Sequence, residues 1–188
     1  MTAMRTTAPD EYIILVDEND QEIGVAEKLT AHKNNQLHRA FSVFIFRNNP
    51  QTGKQEILLQ QRALGKYHSP GLWTNTCCSH PRAGEDIIKA GERRLYEELG
   101  IKAALHHAGS FQYHAYFPNG LHENEIDHVL IGKVSANMVV MPNPEEVHAY
   151  RWIGIDALHS ELNTQAEQFT PWLQEALRLA SADGVGIF

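Results

Sequence analysis

The chain has 188 residues, 43% hydrophobic and 21% charged. That suits one globular domain whose core needs no staples. Its net charge of −7 argues against a nucleic-acid binder, so an anionic substrate would need a locally positive pocket or a bound metal. The two cysteines are neighbours, which a disulfide would join only with poor geometry. The first nine residues hold no apolar signal region, and no apolar run approaches bilayer length. A reduced, cytoplasmic protein with no membrane partner is the expectation.

Tyr12 to Val16 is a β-rich run closed by the turn cluster Asp17 to Asp20, and Glu22 to Ala26 returns beside it, which predicts an N-terminal hairpin. Glu27 to Leu37 is polar and holds Lys28 and His32. Phe41 to Phe46 is a dense apolar strand, followed by the turn Asn48 to Gly53 and a returning strand Glu56 to Arg62; both belong in the middle of a sheet. Ala63 to Ser69 reads as a loop with Lys66 and His68. A short strand fits between the turns at Pro70-Gly71 and Pro81, then a helix from Glu85 to Leu99 that Gly100 ends. Ile87, Ile88, Gly91, Leu95 and Leu99 form its core face. A further hairpin runs Phe111 to Phe117 and Glu123 to Val134, and Tyr150 to Ile153 is a late strand. Asp156 is placed as the cap of a short helix. Thr170-Pro171 is read as the start of a final helix through Ala180. Hairpins with few helices imply an α+β sandwich, one domain over residues 1–188 with residues 1–10 disordered.

Trp73-Thr-Asn-Thr-Cys-Cys-Ser-His-Pro81 is the stretch richest in chemistry. Strand side chains alternate, so Cys78 and His80 share one face while Cys77 and Ser79 share the other. A structural reading is open as well, since free cysteine is often simply buried. Downstream, Glu123 and Glu125 share a strand face, and imidazoles with carboxylates suit a borderline divalent ion such as zinc or manganese. Singly, each of these residues is a weak signal.

The run Asn75 to Pro81 behind Trp73 resembles the cysteine motif of type I isopentenyl-diphosphate isomerases, members of the Nudix superfamily. The resemblance spans about Lys28 to Trp172. It implies a Nudix-like α/β/α sandwich with a mixed sheet. It also implies a metal held by His32, His38, His80 and the Glu123-Asn124-Glu125 motif, with manganese, zinc or magnesium as the ion. His32 and His38 stand six residues apart, a short spacing for the family that makes His32 the less secure ligand.

The helix after the motif resembles a Nudix box in which Glu85, Arg93, Leu95, Glu97, Glu98, Gly100 and Ile101 fall on pattern. Ser79 replaces a glycine and Arg94 a metal-binding glutamate. An arginine there removes a ligand and supplies a diphosphate donor. By resemblance, Glu98 holds Mg2+ on the diphosphate, and Arg94, Arg62, Lys66 and Lys28 contact the phosphates. Trp172 faces the reacting carbon, and Cys78 with Glu125, assisted by Tyr113, forms the acid/base pair. Read without the resemblance, Arg94 and Glu98 are an i, i+4 surface pair and the other cations ordinary exposed ones. The implied substrate is a small prenyl diphosphate and the implied assembly a monomer or weak homodimer. A Nudix pyrophosphohydrolase and a metal-dependent binding module without turnover are the alternatives.

Overall fold

The structure, a computed structural model, describes residues 11–187, with side chains through residue 182. The expected disorder of residues 1–10 lies outside the described residues. Strand β3 (His38–Asn48) is the axis of the sheet: its residues from Ala40 to Phe46 are buried whichever face they point to, so the strand needs a cover on each side. Val43 and Ile45 enter one cluster with Leu95 and Leu99 of helix α2 (Ile87–Leu99). Phe44 and Phe46 enter another with Leu173 and Leu177 of α4 (Leu173–Ile187) and Leu158 of α3 (Ile155–Thr164). Full burial of each such side chain contributes about 1.5–3 kcal/mol, so the alternation along β3 fixes both helical layers. The product is an α+β, three-layer α/β/α sandwich on a nine-stranded sheet.

The sheet is mixed. β3 runs parallel to β8 (His122–Lys133), pairing His38 with Glu125 and Ala40 with Asp127, while its other neighbours are antiparallel. β7 (His106–Tyr116) covers the far edge of β8, and β9 (Val147–Gly154) pairs with β4 (Gln55–Arg62). The N-terminal hairpin, β1 (Tyr12–Val16) and β2 (Glu22–Glu27), joins β3 at Leu15. β3 pairs with β4 only near Phe46 to Asn48, and with β6 (Cys77–Ser79) at Phe41 to Val43. Thr76 spans the split: its hydroxyl accepts from the Ile45 amide at 2.9 Å and donates to the Leu58 carbonyl at 2.6 Å. Beyond this opening in the ladder lies the cavity described below.

Five expectations need correction. The segment after Glu27 holds a short helix, α1 (Lys28–Lys33), because the Glu27 carboxylate caps the amides of Leu29 and Thr30. The cysteine strand is two pieces, β5 (Trp73–Thr74) and β6, since the Asn75 and Thr76 side chains take over the bonding between them. Helix α2 starts at Ile87, capped by Asp86, which leaves Glu85 outside. Gly154, not Asp156, is the N-cap of α3, and Asp156 lies in the first turn. The last helix begins at Leu173 and continues to Ile187; the Thr170 hydroxyl pairs with Thr74 at 2.8 Å instead of capping it. Gly100 does end α2 as expected, in a left-handed conformation with φ of 67°.

Candidate active site

A cavity of about 270 Å³ opens beside the split, and Cys78, His80, Glu123, Glu125, Glu98, Arg94, Arg62, Lys66, Lys28 and Trp172 all line it. Of the residues singled out from sequence, His32, His38 and Tyr113 stand behind this wall. At one end His32, His38, His80 and Glu125 place one ligand atom each within 4.8 Å of one another, and Glu123 joins through a second group with His32 and His68. The placement follows from the fold. β3 and β8 set His38 beside Glu125, while the turn of α1 brings His32 to within 3.8 Å of Glu123. His38 and His80 each stand 3.4 Å from Glu125.

The donors fit a divalent ion on a specific ground. The Nδ1 atoms of His32 and His38 face the carbonyls of Lys28 and Gln36 at 2.6 and 2.8 Å. Their Nε2 atoms are buried and have no hydrogen-bond partner among the described residues. Backing one ring nitrogen with an acceptor while aiming the other is how proteins orient a metal-binding imidazole. Burial holds His32 and His80 below the ordinary histidine pKa, so both are neutral, with a lone pair free. Burial pushes the Glu125 carboxyl up, but the His38 imidazole 3.4 Å away outweighs it and lowers the pKa to about 2. The short spacing between His32 and His38 is no obstacle, for their rings lie 4.9 Å apart.

Cys78 and Cys77 separate as strand parity requires. Cys77 is fully buried in the core under α2, whereas Cys78 and His80 face the cavity, which Ser79 also borders. The Cys78 thiol donates to Asn75 Oδ1 at 2.9 Å. That oxygen also accepts from the Trp172 indole at 3.2 Å and the Thr74 hydroxyl at 2.8 Å. Asn75 is fixed from its other end, because its Nδ2 donates to the carbonyls of Val43 and Cys77. Burial, with Asp127 nearby, pushes the Cys78 thiol up to about 12, so it is a proton carrier at neutral pH. Ser42 lies 3.9 Å from the same sulfur and donates to Asp127 at 2.8 Å. Tyr113 sits opposite Glu125 in the β7–β8 ladder and edge-on to Trp172, ring centroids 6.0 Å apart.

The cationic end is built from three elements. Arg94 and Glu98 of α2 form a 2.8 Å ion pair, as an i, i+4 spacing allows. It is no solvated surface pair: Glu98 is 4% exposed and also accepts from Gln60 at 3.0 Å. Lys66 pairs with Glu146, Lys28 lies 5.5 Å from the Tyr67 ring, and Arg62 lies 5.6 Å from the Trp172 ring. Glu85 and Glu97 do not line the cavity. Glu85 is clamped by two bonds from Arg93, and Glu97 is exposed against Arg93 and Arg94. One glutamate of the Nudix-like box thus reaches the cavity.

Sequence reasoning missed four residues here. Asp127 extends the alternation of Glu123 and Glu125 and was legible by that pattern. Asn75 lay inside the motif with no role attached, and nothing in the spacing marks His68 or Glu146.

These features define a class first: residues 36–173 match the NUDIX domain, and the fold is shared with solved Nudix-type structures. A crystal structure from Deinococcus radiodurans superposes with a TM-score of 0.71 at 19% identity, covering 89% of this chain and 98% of that one. A C. elegans Ap4A hydrolase complex does so with 0.58 at 22% identity, covering 79% and 98%. Sequence relatives narrow the class. The isopentenyl-diphosphate Delta-isomerase 1 of Aromatoleum aromaticum is 45% identical over 168 residues, 89% of this chain and 91% of its own. That of Photobacterium profundum is 47% identical over 171 residues, 90% and 93% of the two chains. The chain belongs to the isopentenyl-diphosphate Delta-isomerase family of Nudix-fold proteins.

Proposed function

We propose that this protein isomerises isopentenyl diphosphate to dimethylallyl diphosphate, moving a carbon–carbon double bond while the diphosphate stays intact. One observation carries the reading: a protonated thiol, Cys78, and an ionised carboxylate, Glu125, line one small cavity with the cations a diphosphate needs. Allylic transposition adds a proton at one carbon and removes another, so it needs two such groups. Each serves as acid in one direction of the reversible reaction and as base in the other. Tyr113, beside Glu125 in the ladder, assists that carboxylate.

The chain supplies the remaining requirements. Trp172 is 4% exposed and its indole is pinned by Asn75, so the ring presents a fixed π-face to the positive charge developing on the alkene. The position of Arg62 near the same ring marks it as a surface that accepts cations. Arg94, Arg62, Lys66 and Lys28 bind the phosphates, and the buried walls keep water from trapping a cation-like state. His32, His38, His80, Glu123 and Glu125 would hold one manganese, zinc or magnesium ion, and Glu98 a Mg2+ that arrives with the diphosphate. When bound, these ions neutralise charge and fix the carboxylates.

Incubation of the purified protein with isopentenyl diphosphate and Mg2+ tests the reading. NMR should show dimethylallyl diphosphate rising to an equilibrium mixture, with no phosphate or diphosphate released. Release of phosphate would make the protein a hydrolase. Absence of both products after manganese or zinc is supplied would remove the catalytic reading.

A further inference from the structure

Four imidazoles, not three, surround the two glutamates, and the fourth is built differently. His32 and His38 direct Nδ1 at a backbone carbonyl and leave Nε2 unpaired. His68 is the reverse: its Nε2 lies 2.7 Å from Glu123 Oε1, and its buried Nδ1 has no partner among the described residues. A carboxylate only accepts hydrogen bonds, so the proton of His68 sits on Nε2 and is donated to Glu123. Were Nε2 on an ion instead, the proton would sit on Nδ1, where no acceptor waits for it. Buried N–H groups are rarely left so. The ring is held in place: it stacks on Phe117 with centroids 5.4 Å apart and meets the edge of Trp172 at 6.2 Å. Behind it, Arg62 donates to the His68 carbonyl at 3.3 Å, and Ser69 next in the chain takes a left-handed φ of 48°.

We propose that His68 is the positioning residue of Glu123: it turns the carboxylate toward the metal and so ties the loop of residues 63–72 to the metal centre. This rests on the reading of Glu123 as a ligand. Lys66 rides on that loop and Arg62 leads into it, so metal occupancy and the shape of the phosphate-binding wall are linked through one hydrogen bond. Linkage is reciprocal: an ordered loop strengthens metal binding, and bound metal orders the loop.

The test compares Mn2+ affinity, by competition with a chromophoric chelator, for the unmodified protein and its His68→Ala, His68→Gln and Glu123→Gln variants. Loss of a hydrogen bond behind a ligand typically lowers metal affinity about 10–100-fold. His68→Ala should show such a loss. His68→Gln, whose amide N–H can reach the same oxygen, should recover most of it. Co2+ bound in place of Mn2+ should give the same visible spectrum in the unmodified and His68→Gln proteins. Hydrogen exchange in residues 63–72 should slow on Mn2+ loading, and the slowing should vanish in His68→Ala. Unchanged affinity in His68→Ala with weakened binding in Glu123→Gln would overturn the role of His68 alone. Full-strength binding in Glu123→Gln would overturn the ligand reading beneath it. Failure of glutamine to rescue, with a changed Co2+ spectrum, would make His68 a ligand and end the proposal.

Discussion

Adjacent cysteines of identical chemistry receive different tasks here because a strand alternates its faces. Cys77 is fully buried among Val43, Leu95 and Leu99, and burial raises its thiol pKa as well, so its contribution is packing. Cys78 faces the cavity. Cys78→Ala should therefore abolish isomerisation while leaving the melting temperature nearly unchanged; substantial turnover in that variant would remove the thiol from the reaction. Cys77→Ala should retain turnover and lose about 1 kcal/mol of stability through the smaller core side chain. Asn75 is the residue on which the pair of reacting walls depends, since one carbonyl oxygen holds both the Cys78 thiol and the Trp172 indole. In Asn75→Ala the carbonyls of Val43 and Cys77 lose a donor inside the core, each at a cost of about 1–3 kcal/mol. The variant should unfold at lower urea, and its kcat should fall at least tenfold while metal content stays constant. Unchanged kcat would reduce Asn75 to scaffolding.

At the scale of elements, what could be read in advance was whatever repeats or alternates. The core face of α2 and the shared face of Glu123 and Glu125 came from periodicity, the mid-sheet place of β3 from its unbroken apolar run, and Gly100 from its place at a helix end. What could not be read depends on partners distant in sequence. Thr170 looks like a cap until its hydroxyl is found on Thr74, and Glu85 looks like the first residue of a helix until Asp86 takes the cap. His68 gains meaning only when β8 brings Glu123 beside it. The clamp at the start of α2 has a pH signature. Burial pushes the Glu85 carboxyl up, but the bonds from Arg93 at 2.9 and 2.8 Å outweigh it, so the folded pKa lies below the ordinary 4.5. A carboxyl depressed by folding adds stability above its unfolded pKa and loses it as pH falls through the folded value. For a pair this shielded, 18% exposed on each side, the contribution is about 1 kcal/mol. Urea midpoints of the unmodified and Glu85→Gln proteins should differ at pH 7 and converge once the pH falls through the depressed folded pKa of Glu85, below 4.5. A gap that persists in acid would assign the effect to packing.

The whole molecule carries a net charge of −7 and handles an anion, and the cavity does not resolve this by being positive. Four glutamates line it, Glu98, Glu123, Glu125 and Glu146, against four cations, Lys28, Arg62, Lys66 and Arg94, while burial and the nearby Glu125 push the pKa of the fifth acid, Asp127, well above the ordinary range. Two of those cations are already engaged, Arg94 by Glu98 and Lys66 by Glu146, so a diphosphate would have to compete for them. Of the two routes by which an acidic protein can take an anionic substrate, a positive pocket or a bound metal, the lining cations offer the first in part and the histidine–glutamate group offers residues suited to the second. Among the described residues no helix is long and apolar enough to cross a membrane, and the longest apolar faces are spent covering the sheet. The acidic and basic groups thus converge at the split in the sheet, beside the histidine–glutamate group that could hold a divalent ion. Calorimetric titration with inorganic diphosphate examines this without any turnover. In Mg2+ the affinity should be at least tenfold higher than in a chelating buffer, and Glu98→Gln should erase most of the difference. Equal affinity with and without divalent ions would mean that Arg62, Lys66, Arg94 and Lys28 suffice, and that the four glutamates beside them do not oppose the substrate.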